Sequence, residues 1–310
     1  MVHLTGVQQV TSKKPKSKQS FVRDLAIVRR HRESGSYWLV SARVLLAVST
    51  GAALAQPAVA ARRPAPVSEL VVDVRTGRTL FASNADRIRP PASLAKLMTL
   101  LLAFDALNNG RLRLADRLVM TADGERQAPS RLGLTREQTI SVSAALRAVA
   151  VISANDIAVA LADRLSGNEP RFVEMMNRRA AEIGMAHTRF GNATGLAPRA
   201  GVTTARDVAT LSRFLIQRFP GRYGLFSTRA IEWHGQVRPN HNQLLGKVKG
   251  LDGLKTGYTV QAGFNLAASS RRDRKRIVVV VMGAETAAAR DLLVANLLES
   301  GFTSHVVRSH

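Results

Sequence analysis

The sequence predicts an α+β fold: an antiparallel sheet that gathers its strands from both ends of the chain and is flanked by helices, with an all-helical subdomain in the middle. Three observations carry that prediction. β-Branched apolar runs occur near residues 68–82, a second set lies between 262 and 282, and helical periodicity fills most of what separates them. With 45% hydrophobic and 22% charged residues the chain can bury a core, which excludes wholesale disorder. The absence of cysteine excludes disulfide scaffolds, thiol nucleophiles and thiolate metal sites, so any chemistry runs on oxygen and nitrogen side chains.

In chain order, the first sixty residues read as an export address rather than as structure. Lys13, Lys14, Lys16 and Lys18, then Arg29 and Arg30, precede the apolar run Val44-Leu45-Leu46-Ala47-Val48. The small-x-small triplets Ala53-Leu54-Ala55 and Ala58-Val59-Ala60 follow it. The run is short for a bilayer span, so a cleaved signal is expected, with the cut after Ala60 and the mature chain in the periplasm or cell-wall space.

Residues 68–74 and 78–82, separated by Thr76-Gly77, predict a β-hairpin. Pro90-Pro91-Ala92 leads into a helix over 93–104, with Gly110 as its stop. That helix is apolar nearly all round and therefore buried, and it carries a serine in its first turn and a lysine one turn later. Residues 142–151, 155–165 and 170–183 show apolar spacings of three and four, 191–195 break the run, and 204–219 restore it. This helical subdomain occupies roughly residues 110–230. Residues 262–269 and 277–282 read as strands joined by the basic cluster from Arg271 to Arg276, which is expected to be a solvated hairpin tip. Residues 286–300 form a closing amphipathic helix whose Leu292, Leu293, Leu297 and Leu298 are expected to cover the sheet. Residues 61–310 are thus expected to form one module without an additional C-terminal domain.

The net charge is +23, from 45 Lys+Arg against 22 Asp+Glu. The first sixty residues hold seven of those charges and the rest of the chain sixteen, so the body itself is basic. Such a field attracts polyanions. No zinc-finger or RNP-like aromatic pattern accompanies it, so no nucleic-acid partner is expected, and peripheral electrostatic contact with a membrane or wall polymer remains.

Three motifs carry chemistry. Ser93-x-x-Lys96 places an amine within reach of a hydroxyl on one helical face. A serine needs its proton removed before it attacks, and lysine can take it only when burial and neighbouring cations have lowered its pKa. Ser153-Ala154-Asn155 falls between two helices, where an isolated Ser-x-Asn would ordinarily be an N-cap. Lys255-Thr256-Gly257-Tyr258-Thr259 is strand-like, with a glycine where a ligand backbone could approach closely. Each has an ordinary structural explanation alone. Their order, 60 and then 102 residues apart, matches the signature of the serine penicilloyl enzymes.

The surrounding blocks resemble the low-molecular-mass penicillin-binding proteins, the D-alanyl-D-alanine carboxypeptidase family (serine peptidase family S11). They include Pro91-Ala92-Ser93-Leu94-Ala95-Lys96-Leu97-Met98-Thr99, Ser153-Ala154-Asn155-Asp156 and Gly184-Met185 through Thr188, Phe190, Asn192 and Gly195-Leu196. Thr204-Ala205-Arg206-Asp207 and Asp252-Gly253-Leu254-Lys255-Thr256-Gly257-Tyr258-Thr259 complete them. The resemblance covers roughly residues 66–303 and implies the β-lactamase/DD-peptidase-like fold. It also implies acyl transfer without a metal or organic cofactor. Ser93 attacks the carbonyl between two D-alanines with neutral Lys96 as base, Ser153 relays the proton, and Asn155 holds the substrate amide. The N–H groups of Ser93 and Tyr258 form the oxyanion hole, Lys255 supplies positive potential, and Thr256 with Thr259 binds the terminal carboxylate. The implied partners are peptidoglycan stem peptides and β-lactams, bound by a monomer, with D,D-endopeptidase action as a companion using the same residues. A β-lactamase is disfavoured, because none of Glu169, Glu174, Glu182 and Glu232 stands in a Glu-x-x-Leu-Asn context. Three departures stand out. Ala154 replaces an aspartate, Ala193 stands where a proline is expected, and in the segment 240–245, where the family can offer an arginine to the carboxylate, the local candidate is His241.

Overall fold

The structure is a computed structural model that describes residues 66–196 and 201–303. The export segment and its cleavage after Ala60 lie outside the described residues.

The chain opens with the expected hairpin, β1 (Ser68–Asp73) and β2 (Thr79–Ser83), bulged between Val71 and Val72. A 3-10 turn, Ala92–Ala95, runs into α1 (Lys96–Asn108). Then come β3 (Arg117–Val119), α2 (Ala122–Glu125), β4 (Thr139–Ser141), α3 (Val142–Val151), α4 (Asn155–Ser166) and α5 (Glu169–Glu182). β5 (Arg189–Phe190), β6 (Gly201–Val202), α6 (Ala205–Arg218), α7 (Pro220–Tyr223), β7 (Ala230–Trp233) and β8 (Gln236–Pro239) complete the middle. Two two-stranded ribbons, β3/β4 and β5/β6, therefore interrupt the stretch the pattern read as purely helical, and a third, β7/β8, follows it over 230–239. Strands of two to four residues are too short for an alternation to register. The chain closes with β9 (Leu251–Thr259), β10 (Gly263–Arg272), β11 (Lys275–Ala284) and α8 (Ala287–Thr303).

The main sheet has the order β2-β1-β11-β10-β9 and is antiparallel throughout, so the two ends of the chain meet where Leu70 opposes Val280. β11 lies at its centre, and its unbroken run of apolar residues follows from being covered on both faces. Val278, Val280 and Met282 belong to the core shared with α1 and the middle helices. Ile277, Val279 and Val281 belong to the core under α8. In α8 it is Val294 and Leu298 that are buried, whereas Leu292 is 64% exposed, a correction to the expectation that all four leucines cover the sheet. No helix among the described residues is long and apolar enough to cross a membrane.

Helix boundaries follow from local chemistry. Ser141, Asn168 and Thr204 accept the N–H groups of Ala144, Arg171 and Asp207 and so cap α3, α5 and α6. The basic cluster is a hairpin tip with Arg271, Asp273 and Arg274 exposed, as expected, but its other three cations are engaged. β10 and β11 pair as far as Arg272 opposite Lys275, leaving only Asp273 and Arg274 in the turn. Arg272 binds Glu299, Lys275 donates to the Gly301 carbonyl, and Arg276 pairs with Asp252 at 2.8 Å. These cations fasten the hairpin to α8 and β9.

Candidate active site

Ser93 stands in the 3-10 turn and Lys96 is the first residue of α1, so the serine precedes the α-helix rather than occupying its first turn. The tight turn eclipses side chains three residues apart. Lys96 Nζ lies 3.0 Å from Ser93 Oγ and donates to the Thr194 carbonyl at 2.9 Å. Lys96 is 0% exposed, and burial, reinforced by the charge of Lys255, holds its pKa well below the ordinary lysine value. Lys96 is therefore not a solvent-facing lysine of the helix.

The loop that supplies the Thr194 carbonyl is built by Asn192, whose Oδ1 accepts the N–H groups of Thr194 and Gly195. Gly195, at φ +76°, lies so close to the turn that a Cβ there would sit 1.7 Å from the Ala92 carbonyl oxygen. Thr99 fixes the same loop by donating to the Ala193 carbonyl at 2.8 Å. Ala92 itself adopts φ +48°, an unfavourable value for a residue with a Cβ, at the residue before the serine.

Ser153 lies on the turn between α3 and α4 at φ +60°. It is not an N-cap. That position belongs to Ala154, which makes no side-chain capping bond, and the buried Ser153 Oγ has no hydrogen-bond partner among the described residues. A strained backbone and an unsatisfied buried hydroxyl together cost free energy that local structure does not return. Asn155 donates its side-chain Nδ2 to the Pro129 carbonyl and its N–H to the Ser130 carbonyl, while its buried Oδ1 lacks a partner among the described residues. Asp156 accepts the Gly133 N–H at 2.9 Å and secures the loop that carries those carbonyls.

β9 is the sheet edge that meets the serine turn. Gly257 allows this, since a Cβ there would lie 3.0 Å from the Ser93 N and 3.2 Å from the Leu94 N. The close approach the glycine permits is thus to the serine's own backbone, not only to a ligand. Lys255 is buried, its Nζ donates to the Thr256 carbonyl at 3.1 Å, and burial together with the charge of Arg290 lowers its pKa to about 7. Thr256 is buried, Thr259 accepts the Ala262 N–H, and Tyr258 is 50% exposed with its ring stacked on Phe264. His241 is exposed and donates its N–H to the Val151 carbonyl. Partial burial first, then Lys255, Arg238, Lys96 and Arg290, lowers its pKa to about 4, so at pH 7 it offers a hydrogen bond and no charge.

The structure thus brings together Ser93, Lys96, Lys255 and Gly257, with His241 inside the field of both lysines. Sequence reasoning missed Thr194, Asn192 and Arg290. Asn192-x-x-Gly195 was a signal for the first two. Arg290, buried at the start of α8 and bonded to Asp291, gave none, because an arginine in an amphipathic helix reads as a surface residue.

A helix-covered antiparallel sheet, with its lysine-bearing edge strand laid against a serine–lysine turn, defines a protein of the DD-peptidase-like serine class. Comparison with known proteins agrees. Residues 53–286 match the peptidase S11 family, described as D-alanyl-D-alanine carboxypeptidase, and the chain belongs to that family. It is 37% identical over 241 residues to the D-alanyl-D-alanine carboxypeptidase DacD of Escherichia coli, covering 76% of this chain and 62% of that one. With DacF of Bacillus subtilis the identity is 32% over 243 residues, covering 77% and 62%. The chain therefore spans about three fifths of the length of these relatives. The ampicillin-bound form of penicillin-binding protein D2 from Listeria monocytogenes superposes with a TM-score of 0.70 at 36% identity, covering 76% of this chain and 96% of the other.

Proposed function

We propose that this protein is a serine-type D-Ala-D-Ala carboxypeptidase that removes the terminal D-alanine from peptidoglycan stem peptides and is acylated by β-lactams. The observation that carries the reading is the fully buried Lys96 amine, depressed in pKa and 3.0 Å from Ser93 Oγ. Neutral Lys96 takes the hydroxyl proton as Ser93 Oγ bonds to the carbonyl carbon between the two D-alanines. The C–N bond then breaks, Ser153 passes the proton to the leaving amine, and water hydrolyses the acyl-enzyme. The peptide adds along the free edge of β9, with Asn155 holding its amide and the N–H groups of Ser93 and Tyr258 receiving the oxyanion. Lys255, Thr256, Thr259 and neutral His241 receive the terminal carboxylate. The catalytic module comprises residues 61–310, acts as a monomer after export and cleavage behind Ala60, and meets anionic surfaces through its charge. Incubation with a peptide ending in D-Ala-D-Ala should release free D-alanine, and labelled penicillin should leave an adduct on Ser93 that is absent in Ser93→Ala. An adduct on any other residue would overturn the mechanism.

A further inference from the structure

Away from the serine–lysine pair, a cavity of about 310 Å³ opens between the last two turns of α1, α3, α7 and the 3-10 turn Gly224–Ser227 that follows it. Phe104, Leu107, Leu114, Leu146 and Leu225 give it an apolar floor. Phe104 and Leu146 are buried at its base, while Leu114 is 46% exposed and carries the apolar surface out to the open side. Phe104 stands two turns beyond Lys96 on α1, roughly 12 Å along the helix axis, and no residue of the site described above lines the cavity. The two places are separate.

Two cations stand over that floor without a counter-charge. Arg147 on α3 and Arg222 on α7 line the cavity, and no carboxylate does. Each guanidinium is held by a neutral oxygen, Arg147 donating to Ser143 Oγ at 3.0 Å and Arg222 to Asn108 Oδ1 at 3.1 Å. Neither forms an ion pair among the described residues. A hydroxyl or an amide oxygen fixes where the charge sits but leaves it uncompensated, and a guanidinium with five N–H groups keeps donors to spare. Its planar fork matches a carboxylate. An apolar floor beneath a few fixed polar groups is the usual make-up of a small-molecule site, and here the polar groups are both cationic.

We propose that this cavity binds a single-chain amphiphile with a terminal carboxylate, its chain on the leucine and phenylalanine floor and its head between Arg147 and Arg222. The test is calorimetric titration of the protein with decanoate and with 1-decanol, the uncharged counterpart of the same chain length. One decanoate should bind per chain, about tenfold more tightly than decanol, as two part-exposed charge contacts allow. Replacing Arg147→Gln and Arg222→Gln together should bring decanoate down to the affinity of decanol and leave decanol unchanged. Leu114→Ser removes floor and no charge, so it should weaken both ligands alike, by about fivefold. Both variants should melt with the parent, since Arg147 and Leu114 are exposed and Arg222 is half-buried. Absence of saturable one-to-one binding by decanoate, equal affinity for acid and alcohol in the parent, or a preference that survives the double arginine substitution overturns the inference. So does a dimer in sedimentation equilibrium that Leu114→Ser dissociates, because a second copy would then cover the floor.

Discussion

In the proposed mechanism Lys96 and Lys255 do opposite jobs with the same chemistry. The first must be neutral to accept a proton and the second charged to attract a carboxylate, and burial is the main cause that lowers both. Lys96→Arg keeps the charge and removes the neutral form, because guanidinium stays protonated in proteins. Penicillin acylation should then fall by orders of magnitude with folding intact, and near-normal acylation would show that another group takes the proton. A linkage consequence follows for Lys255, whose folded value of about 7 lies below the ordinary 10.5. Between those values the unfolded chain holds a proton that the native one lacks, so stability rises with pH across that window and is lowest below it. Lys255→Met should therefore stabilise the fold by about 1–4 kcal/mol below pH 7, with the gain shrinking toward pH 10 as activity stays lost. Thermal melts at several pH values would check this, and a gain that is independent of pH would contradict it.

Among the elements, the site exists because three of them meet with almost no side-chain volume between them: the 3-10 turn, the 191–196 loop and β9. The two glycines at those seams should fail differently. Gly195→Ala meets the Ala92 carbonyl at 1.7 Å with φ at +76°, a clash that neither backbone can relieve. It should cost about 3 kcal/mol or more and lower the melting temperature steeply. Gly257→Ala meets the Ser93 N at 3.0 Å and the Leu94 N at 3.2 Å, which a shift of a few tenths of an ångström relieves. That variant should melt within about 1–3 kcal/mol of the parent yet acylate at least tenfold more slowly, because the shift moves the edge strand away from the nucleophile. Equal damage to rate and stability in both would mean that β9 is not held against the serine in the way described.

For the molecule as a whole, charge is distributed against function in a consistent way. A chain of net charge +23 carries cations that tie its hairpin to α8 and β9, as with Arg272 to Glu299 and Arg276 to Asp252, and others that face solvent. The expected result is salt-sensitive adhesion. Residues 61–310 should sediment with anionic lipid vesicles at low ionic strength and be released at 1 M salt, where the Debye length is about 3 Å. Retention at 1 M salt would point to an apolar contact instead.

The sequence by itself determined the long helices, most of the main sheet and the motifs on which the proposed chemistry rests. A helix apolar all round had to be buried, so Lys96 had to be buried with it, and the continuous apolar run of β11 required cover on both faces. Three motifs in order were enough to name Ser93, Lys96, Ser153 and Lys255, since spacing and residue type are local properties that a string records. Only the tertiary structure decided which neighbours make that chemistry work. The Thr194 carbonyl on Lys96, the Arg290 charge near Lys255, the pKa of His241 and the Glu169 carboxylate on the Ala193 N–H come from segments tens to more than a hundred residues apart. Ser153 shows the difference most plainly. In sequence it reads as a cap, and only its positive φ and unpartnered, buried hydroxyl reveal that the fold holds it in a conformation its own segment does not favour. Backbone strain and electrostatic fields are sums over the folded neighbourhood, and no stretch of chain carries them before the neighbourhood is assembled.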